Sequence, residues 1–268
     1  MASRSRVEKE LEQLEALVGR GEIDEARMVD ERTIMITLHG PGVEKVCVAV
    51  LSLLTDANPD HGLNSNALDF YWMASITASL AGDKHEILLI ALNRPSVRNA
   101  IDRPMAGALY QTLKDFDENK SAKVAIIHGC GKDFCAGADL SSISKGENLA
   151  PAISIEGDKS PLGFARLTLS KPVIAAVSGH AVAGGLELAA WCDMRIIDRT
   201  AKFGVYCRRF GVPLVDGGTI NLQSLIGHSR AMDMVLTGRA VEAEEAVRWG
   251  LATRMVERTE DLVPEAIK

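Results

Sequence analysis

Residues 171–196 read KPVIAAVSGHAVAGGLELAAWCDMRI. The run Pro172 to Ser178 is apolar and short, the pattern of a strand buried on both faces. Ala183-Gly184-Gly185 then opens a helix that runs to about Cys192, and Met194 to Ile197 reads as a second strand. Strand, glycine turn, helix, strand is the unit of an α/β fold. The same grammar continues on both sides. Upstream lie a strand at His85–Leu92, a loop at Pro95–Asn99, and a helix from Ala100 to about Asp117 with Met105, Leu109, Leu113 and Phe116 on one face. A strand at Lys123–Gly129 follows, then a glycine-broken turn at Gly131–Asp139 and a short helix at Leu140–Ser144. The spacing predicts a further helix over Leu162–Ser170. Downstream, Ala201–Val205 reads as a short strand, and Thr219–Ile226, Ser229–Thr237 and Ala243–Trp249 read as helices separated by glycines.

The first 82 residues have a different texture. Leu11, Leu14, Leu17 and Val18 fall at helical spacing, so 6–19 reads as an amphipathic helix. Val46 to Leu54 suits a buried strand or a short helix, and Tyr71 to Leu80 is apolar again. No chemical motif occurs there. Residues 145–160 have the composition of a mobile loop. The last residues, Ala266-Ile267-Lys268, fall in mid-helix by pattern, and a helix just starting needs something to pack on, so a further C-terminal segment is expected.

Composition narrows the function classes. The chain has 268 residues, 47% hydrophobic and 25% charged, with a formal charge of −6. This is a globular composition without the basic excess of a nucleic-acid binder. No apolar run is long enough to span a bilayer. Five cysteines, an odd number without a C-x-x-C pair, point to reduced thiols inside the cell, in cytoplasm or mitochondrion, and mostly to core filling. Six scattered histidines give no metal site. The start has neither the apolar core of a secretory signal nor the acid-poor composition of a transit peptide. The glycines fit neither a dinucleotide fingerprint nor a phosphate-binding G-x-x-x-x-G-K-S/T loop.

Two strands, 123–129 and 173–178, each feed a small-residue turn: Ala136-Gly137-Ala138 and Ala183-Gly184-Gly185. Helix starts offer unpaired backbone N–H groups, and two side by side can bind one developing oxyanion. Tight α/β packing also uses such glycines. Glu187 lies on the first turn of an otherwise apolar helix. It suits either a solvated residue favoured by the helix dipole or an acid/base beside the oxyanion site.

The stretches LNRPSVRNAID (92–102), FCAGADL (134–140), 171–196 as quoted, GGTINLQSLIG (217–227) and LTGRAVEAEEAVRWGLATRMV (236–256) together resemble the enoyl-CoA hydratase/isomerase (crotonase) superfamily. The resemblance implies a crotonase-like spiral of β-β-α units over 83–268, with its C-terminal helices cut short, after an extension, 1–82, of unknown role. It implies an acyl-CoA substrate, coenzyme A being carried as the thioester with no separate cofactor, and a homotrimer or a dimer of trimers. By the same resemblance the oxyanion amides fall on Ala138 and Gly184. The CoA-binding segment falls on Arg94, Ser96, Val97 and Asn99 together with Ala136, Gly137, Asp139 and Leu140. Hydratases of this kind bracket the added water with two glutamates. Glu187 matches the first, but the second falls on Cys207, where a thiol replaces a carboxylate. Neighbouring Arg208 and Arg209 are expected to lower the thiol pKa. Asp216, before Gly217-Gly218-Thr219, is either a second carboxylate, as in dienoyl-CoA isomerases, or a helix N-cap. Three functions fit: an enoyl-CoA hydratase, a double-bond isomerase of the same superfamily, or a non-catalytic CoA-binding protein.

Overall fold

The computed structural model describes residues 75–82, 86–144 and 160–268 in full, and the backbone of 25–30, 33–40 and 43–50. The helix expected at 6–19 and nearly all of the loop at 145–160 lie outside these residues. The strands are β1 (Glu25–Asp30), β2 (Thr33–Gly40), β3 (Val43–Val50), β4 (Ile76–Ala81), β5 (Ile87–Leu92), β6 (Val124–Gly129), β7 (Val173–Val177), β8 (His180–Val182), β9 (Met194–Asp198), β10 (Lys202–Gly204), β11 (Ala240–Glu242) and β12 (Arg254–Val256). The helices are α1 (Arg103–Glu118), α2 (Leu140–Ser144), α3 (Gly184–Trp191), α4 (Gly218–Ile226), α5 (His228–Thr237), α6 (Ala243–Trp249) and α7 (Leu262–Ile267).

Strands β1, β2 and β3 form an antiparallel sheet, so the strand alternative holds for Val46–Val50. A six-stranded sheet runs β12-β9-β7-β6-β5-β4, with β4 antiparallel to β5 and the other pairs parallel. The expected boundary at 82/83 therefore lies between two paired strands of one sheet. The inner strands are almost wholly apolar because helices or loops cover both faces. A small third sheet, β11-β10-β8, carries the turn that leads into α3.

Local chemistry explains the helix ends. Asp102 caps α1 by accepting from the Met105 N–H at 2.9 Å, and Pro104 sits in the first turn where its missing N–H costs nothing. Met105, Leu109, Leu113 and Phe116 are buried against the core. At the other end of the chain, α7 packs Leu262 and Ala266 on Ile87, Ile126, Ala176 and Ile196 of the sheet.

The helix expected over Leu162–Ser170 is absent, and the stretch is a series of turns. Gly163 has φ +92°, and a Cβ there would lie 2.3 Å from the Ala106 carbonyl oxygen. Close approach to α1 fixes this backbone, and a helix would push it away. The three-residue strands β8, β11 and β12 are too short to show any periodicity.

Arg195 on β9 is 3% exposed and holds four carbonyls of neighbouring segments. Its guanidinium donates to Leu251 O (2.6 Å), Cys192 O (2.6 Å), Ala189 O (3.2 Å) and Asp193 O (3.3 Å). A cation at the C-terminal end of α3 also meets the negative pole of the helix. Arg195→Met strands these acceptors, and a loss of about 2 kcal/mol is expected from urea denaturation curves.

Candidate active site

The sheet brings the two glycine turns into backbone contact. Cys135 N donates to His180 O at 2.9 Å and Val182 N donates to Cys135 O at 3.1 Å, lacing one turn to the other. A Cβ on Gly137 would sit 2.6 Å from Gly184 N, and one on Gly184 would sit 3.6 Å from Ala138 N. A Cβ on Gly185 would collide with Cys135 O at 2.1 Å. Small residues are therefore a packing requirement here. Ala183 has φ 51°, a left-handed conformation uncommon for alanine, and it turns the chain into α3. Among the described residues, neither the Ala138 nor the Gly184 amide donates to a protein acceptor.

Glu187, on the first turn of α3, is 2% exposed. It is the enclosed residue of the two alternatives, not the solvated one. Its Oε1 accepts from Asp216 N at 2.8 Å and Gly218 N at 2.9 Å. A Cβ on Gly218 would crowd Glu187 Cγ at 2.8 Å, so a glycine is needed where the carboxylate enters the start of α4. Burial raises the Glu187 pKa to about 7; the Gly218 and Asp216 amides oppose this, and the Asp216 charge adds to it.

Asp216 is fully buried. It does not cap α4, whose N-cap is Gly217. Its Oδ1 instead accepts from Leu162 N at 3.1 Å, while Oδ2 has no hydrogen-bond partner among the described residues. Burial raises its pKa, and Ser160, the Leu162 amide and the charge of Arg166 pull the other way. Such an unpaired buried oxygen costs about 1–3 kcal/mol.

Cys207 lies on a 3-10 turn, Tyr206–Phe210, and is half-buried. Its pKa is raised, first by burial and then by the negative charge of Glu187. The expected lowering by arginines is overturned. Arg209 stacks on the Tyr206 ring at 3.6 Å and donates to Gly238 O, and Arg208 points to solvent. Cys207 thus stands in the field of Glu187 as a neutral thiol.

The residues expected to hold CoA divide into two groups. Arg94 is enclosed by its own protein, bridging Asp139 at 2.9 Å and Asp102 at 3.1 Å and donating to Ala100 O. Asn99 is buried, with its Nδ2 on Cys130 O and Asp133 O and its Oδ1 accepting from Arg94 N. Gly137 and Asp139 are buried too. Ser96, Val97 and Leu140 are exposed, and Ala136 is partly so. The loop's outward cation is Arg98, whose side chain is 65% exposed. Sequence reasoning passed over Arg98, because nothing in the local pattern distinguishes it from Arg94. Ser160 and Leu162 were likewise missed; they reach Asp216 across more than fifty residues of chain. Among the described residues, no cluster of three or more His, Cys, Asp or Glu could hold a metal ion, and no helix is long and apolar enough to cross a membrane.

A mixed sheet wrapped by helices, with paired glycine turns beside a buried glutamate, defines an α/β protein of the β-β-α spiral class. The enoyl-CoA hydratase/isomerase family model matches residues 82–268, and the chain belongs to that family. It is 36% identical over 189 residues to mevalonyl-coenzyme A hydratase SIDH of Beauveria bassiana, covering 68% of each chain. It is 41% identical over 179 residues to carnitinyl-CoA dehydratase of Salmonella typhi, covering 65% of this chain and 66% of that one. The chain thus spans about two thirds of the length of these curated relatives. Among solved structures, enoyl-CoA hydratase EchA1 from Mycobacterium marinum superposes with a TM-score of 0.66 at 33% identity, covering 72% of this chain and 73% of that one. A probable enoyl-CoA hydratase/isomerase from Mycobacterium abscessus gives 0.62 at 36% identity, covering 71% and 72%.

Proposed function

We propose that the protein adds water to, or removes it from, the acyl chain of a CoA thioester. The observation that carries this reading is the buried Glu187, with a pKa raised to about 7, one helical turn from an amide pair that has no protein acceptor among the described residues. In this reading the thioester oxygen accepts from Ala138 N and Gly184 N, and the enolate formed as water attacks C3 is stabilised there. Glu187 takes the proton from water and returns one to C2. Asp216 serves as the second carboxylate through its free Oδ2. Arg98 meets the CoA phosphates from the loop that Arg94 and Asn99 hold in shape. A trimeric assembly goes with the family, and the exposed apolar side chains of Phe210 and Ile220 are available for contacts between copies.

Isomerisation is the second reading. Cys207 favours it: with a thiol in place of the second glutamate, one carboxylate shuttling a proton between two carbons would suffice. Product analysis separates the two. Crotonyl-CoA in H₂¹⁸O is expected to yield labelled 3-hydroxybutyryl-CoA. A 3-enoyl-CoA converted to the 2-enoyl isomer, with crotonyl-CoA left unhydrated, overturns hydration in favour of isomerisation.

A further inference from the structure

We propose that Leu162 selects the acyl group, admitting chains unsubstituted at the carbon next to the thioester carbonyl and rejecting those branched there. This rests on the acyl-CoA reading above and deepens it by naming the substrate class.

Leu162 is 2% exposed, and its side chain lies on Gly184: a Cβ built on that glycine would meet Leu162 Cδ1 at 2.2 Å. A carbonyl oxygen accepting from Gly184 N sits about 2.9 Å from that nitrogen. The acyl α-carbon then hangs within a few ångströms of the glycine that Leu162 covers. An α-methyl group and the Leu162 methyl compete for the same wall of the site. Protein interiors are close-packed, so this competition is felt in full.

The leucine is held firmly enough to discriminate. Its N–H donates to Asp216 Oδ1 at 3.1 Å. Gly163 N donates to Ser160 O at 3.0 Å, and Ala165 N donates to Ser160 Oγ at 3.0 Å. Gly163 is pinned against α1 by its close approach to Ala106, and Phe164 packs on Trp191 with ring centroids 5.7 Å apart. Every residue from Ser160 to Ala165 except Pro161 therefore has a fixing contact of its own. Asp216 is in this respect a positioning residue: one oxygen anchors the wall while the other remains free.

The test uses the full chain and two saturated thioesters that bind without reacting, butyryl-CoA and 2-methylbutyryl-CoA, titrated by calorimetry. The wild-type protein is expected to prefer butyryl-CoA by about 10-fold or more, the discrimination one methyl group supports. Leu162→Ala should bring the ratio of dissociation constants close to one, and the milder Leu162→Val should give an intermediate ratio even if the alanine variant folds poorly. Asp216→Asn keeps an oxygen that can accept from Leu162 N and should retain the preference, whereas Asp216→Ala should weaken it. Binding of both ligands with the same ratio in wild type and Leu162→Val overturns the inference alone. Binding of neither ligand to the wild-type protein overturns the acyl-CoA reading and this inference with it.

Discussion

Glu187→Gln is expected to lower kcat for enoyl-CoA hydration about 10²–10⁴-fold, the usual contribution of a positioned acid/base, while making the protein more stable at pH 8. The two effects have one origin. Glutamine keeps the shape of the carboxylate, and its amide oxygen can accept from Asp216 N and Gly218 N as Glu187 Oε1 does. It lacks the charge that burial penalises. The folded-state pKa of Glu187 is raised from 4.5 to about 7. Below 4.5 the group is protonated in both folded and unfolded chains and has no effect. Between 4.5 and 7 the unfolded chain releases the proton more readily, so stability falls as pH rises through that window. Above 7 the full cost is present, about 3 kcal/mol at one pKa unit per 1.36 kcal/mol. Urea denaturation at pH 4.5, 6 and 8 should show the wild-type protein losing this stability and Glu187→Gln retaining it. In the hydration direction kcat/KM should rise with pH through an inflection near 7. A variant with wild-type turnover, or a wild-type profile flat between pH 6 and 8, would remove Glu187 from the chemistry.

Much of the fold was legible because its signals are local. The spacing of Met105, Leu109, Leu113 and Phe116 gives the buried face of α1, although the helix begins at Arg103, after the Asp102 cap, and not at Ala100. The glycine turns at 136–138 and 183–185 are legible for the same reason: a strand, small residues and a helix follow each other in the chain. What the sequence hid is long-range. Leu162–Ser170 has helical spacing, but its backbone is set by the approach of Gly163 to Ala106. Asp216 reads locally as a cap, yet its carboxylate is taken by Leu162, a residue 54 positions away. Arg208 and Arg209 are adjacent to Cys207 in sequence but turn away from it, while Glu187, twenty positions back, is the charge that reaches it. Arg94 and Arg98 are chemically alike in the sequence, and only the ring of Asp102, Asp139 and Ala100 around Arg94 shows which one is spent on the protein itself.

Gly137→Ala should test the amide pair more sharply than any side-chain change. Gly137 has φ +88°, where an alanine pays about 1–2 kcal/mol for the left-handed backbone. Its Cβ would also lie 2.6 Å from Gly184 N and 3.1 Å from both Ala183 Cβ and Val182 O. These neighbours are backbone, or a methyl fixed to it, and cannot rotate aside. The turns must separate, and the Ala138 and Gly184 amides with them. Loss of one well-placed oxyanion donor lowers kcat by about 10²–10³-fold, so a drop of that size is expected, alongside a stability loss of about 2–3 kcal/mol from strain and overpacking. Gly107→Ala is the matching control. Gly107 lies on the exposed side of α1, and a Cβ there meets nothing within 4 Å. That substitution should leave turnover unchanged and stabilise the helix by about 0.5–1 kcal/mol. The decisive comparison is kcat at a temperature where Gly137→Ala is still folded by circular dichroism. A folded variant with undiminished kcat would mean that these two amides do not hold the reacting oxygen, and Glu187 would then need a different partner to activate a thioester.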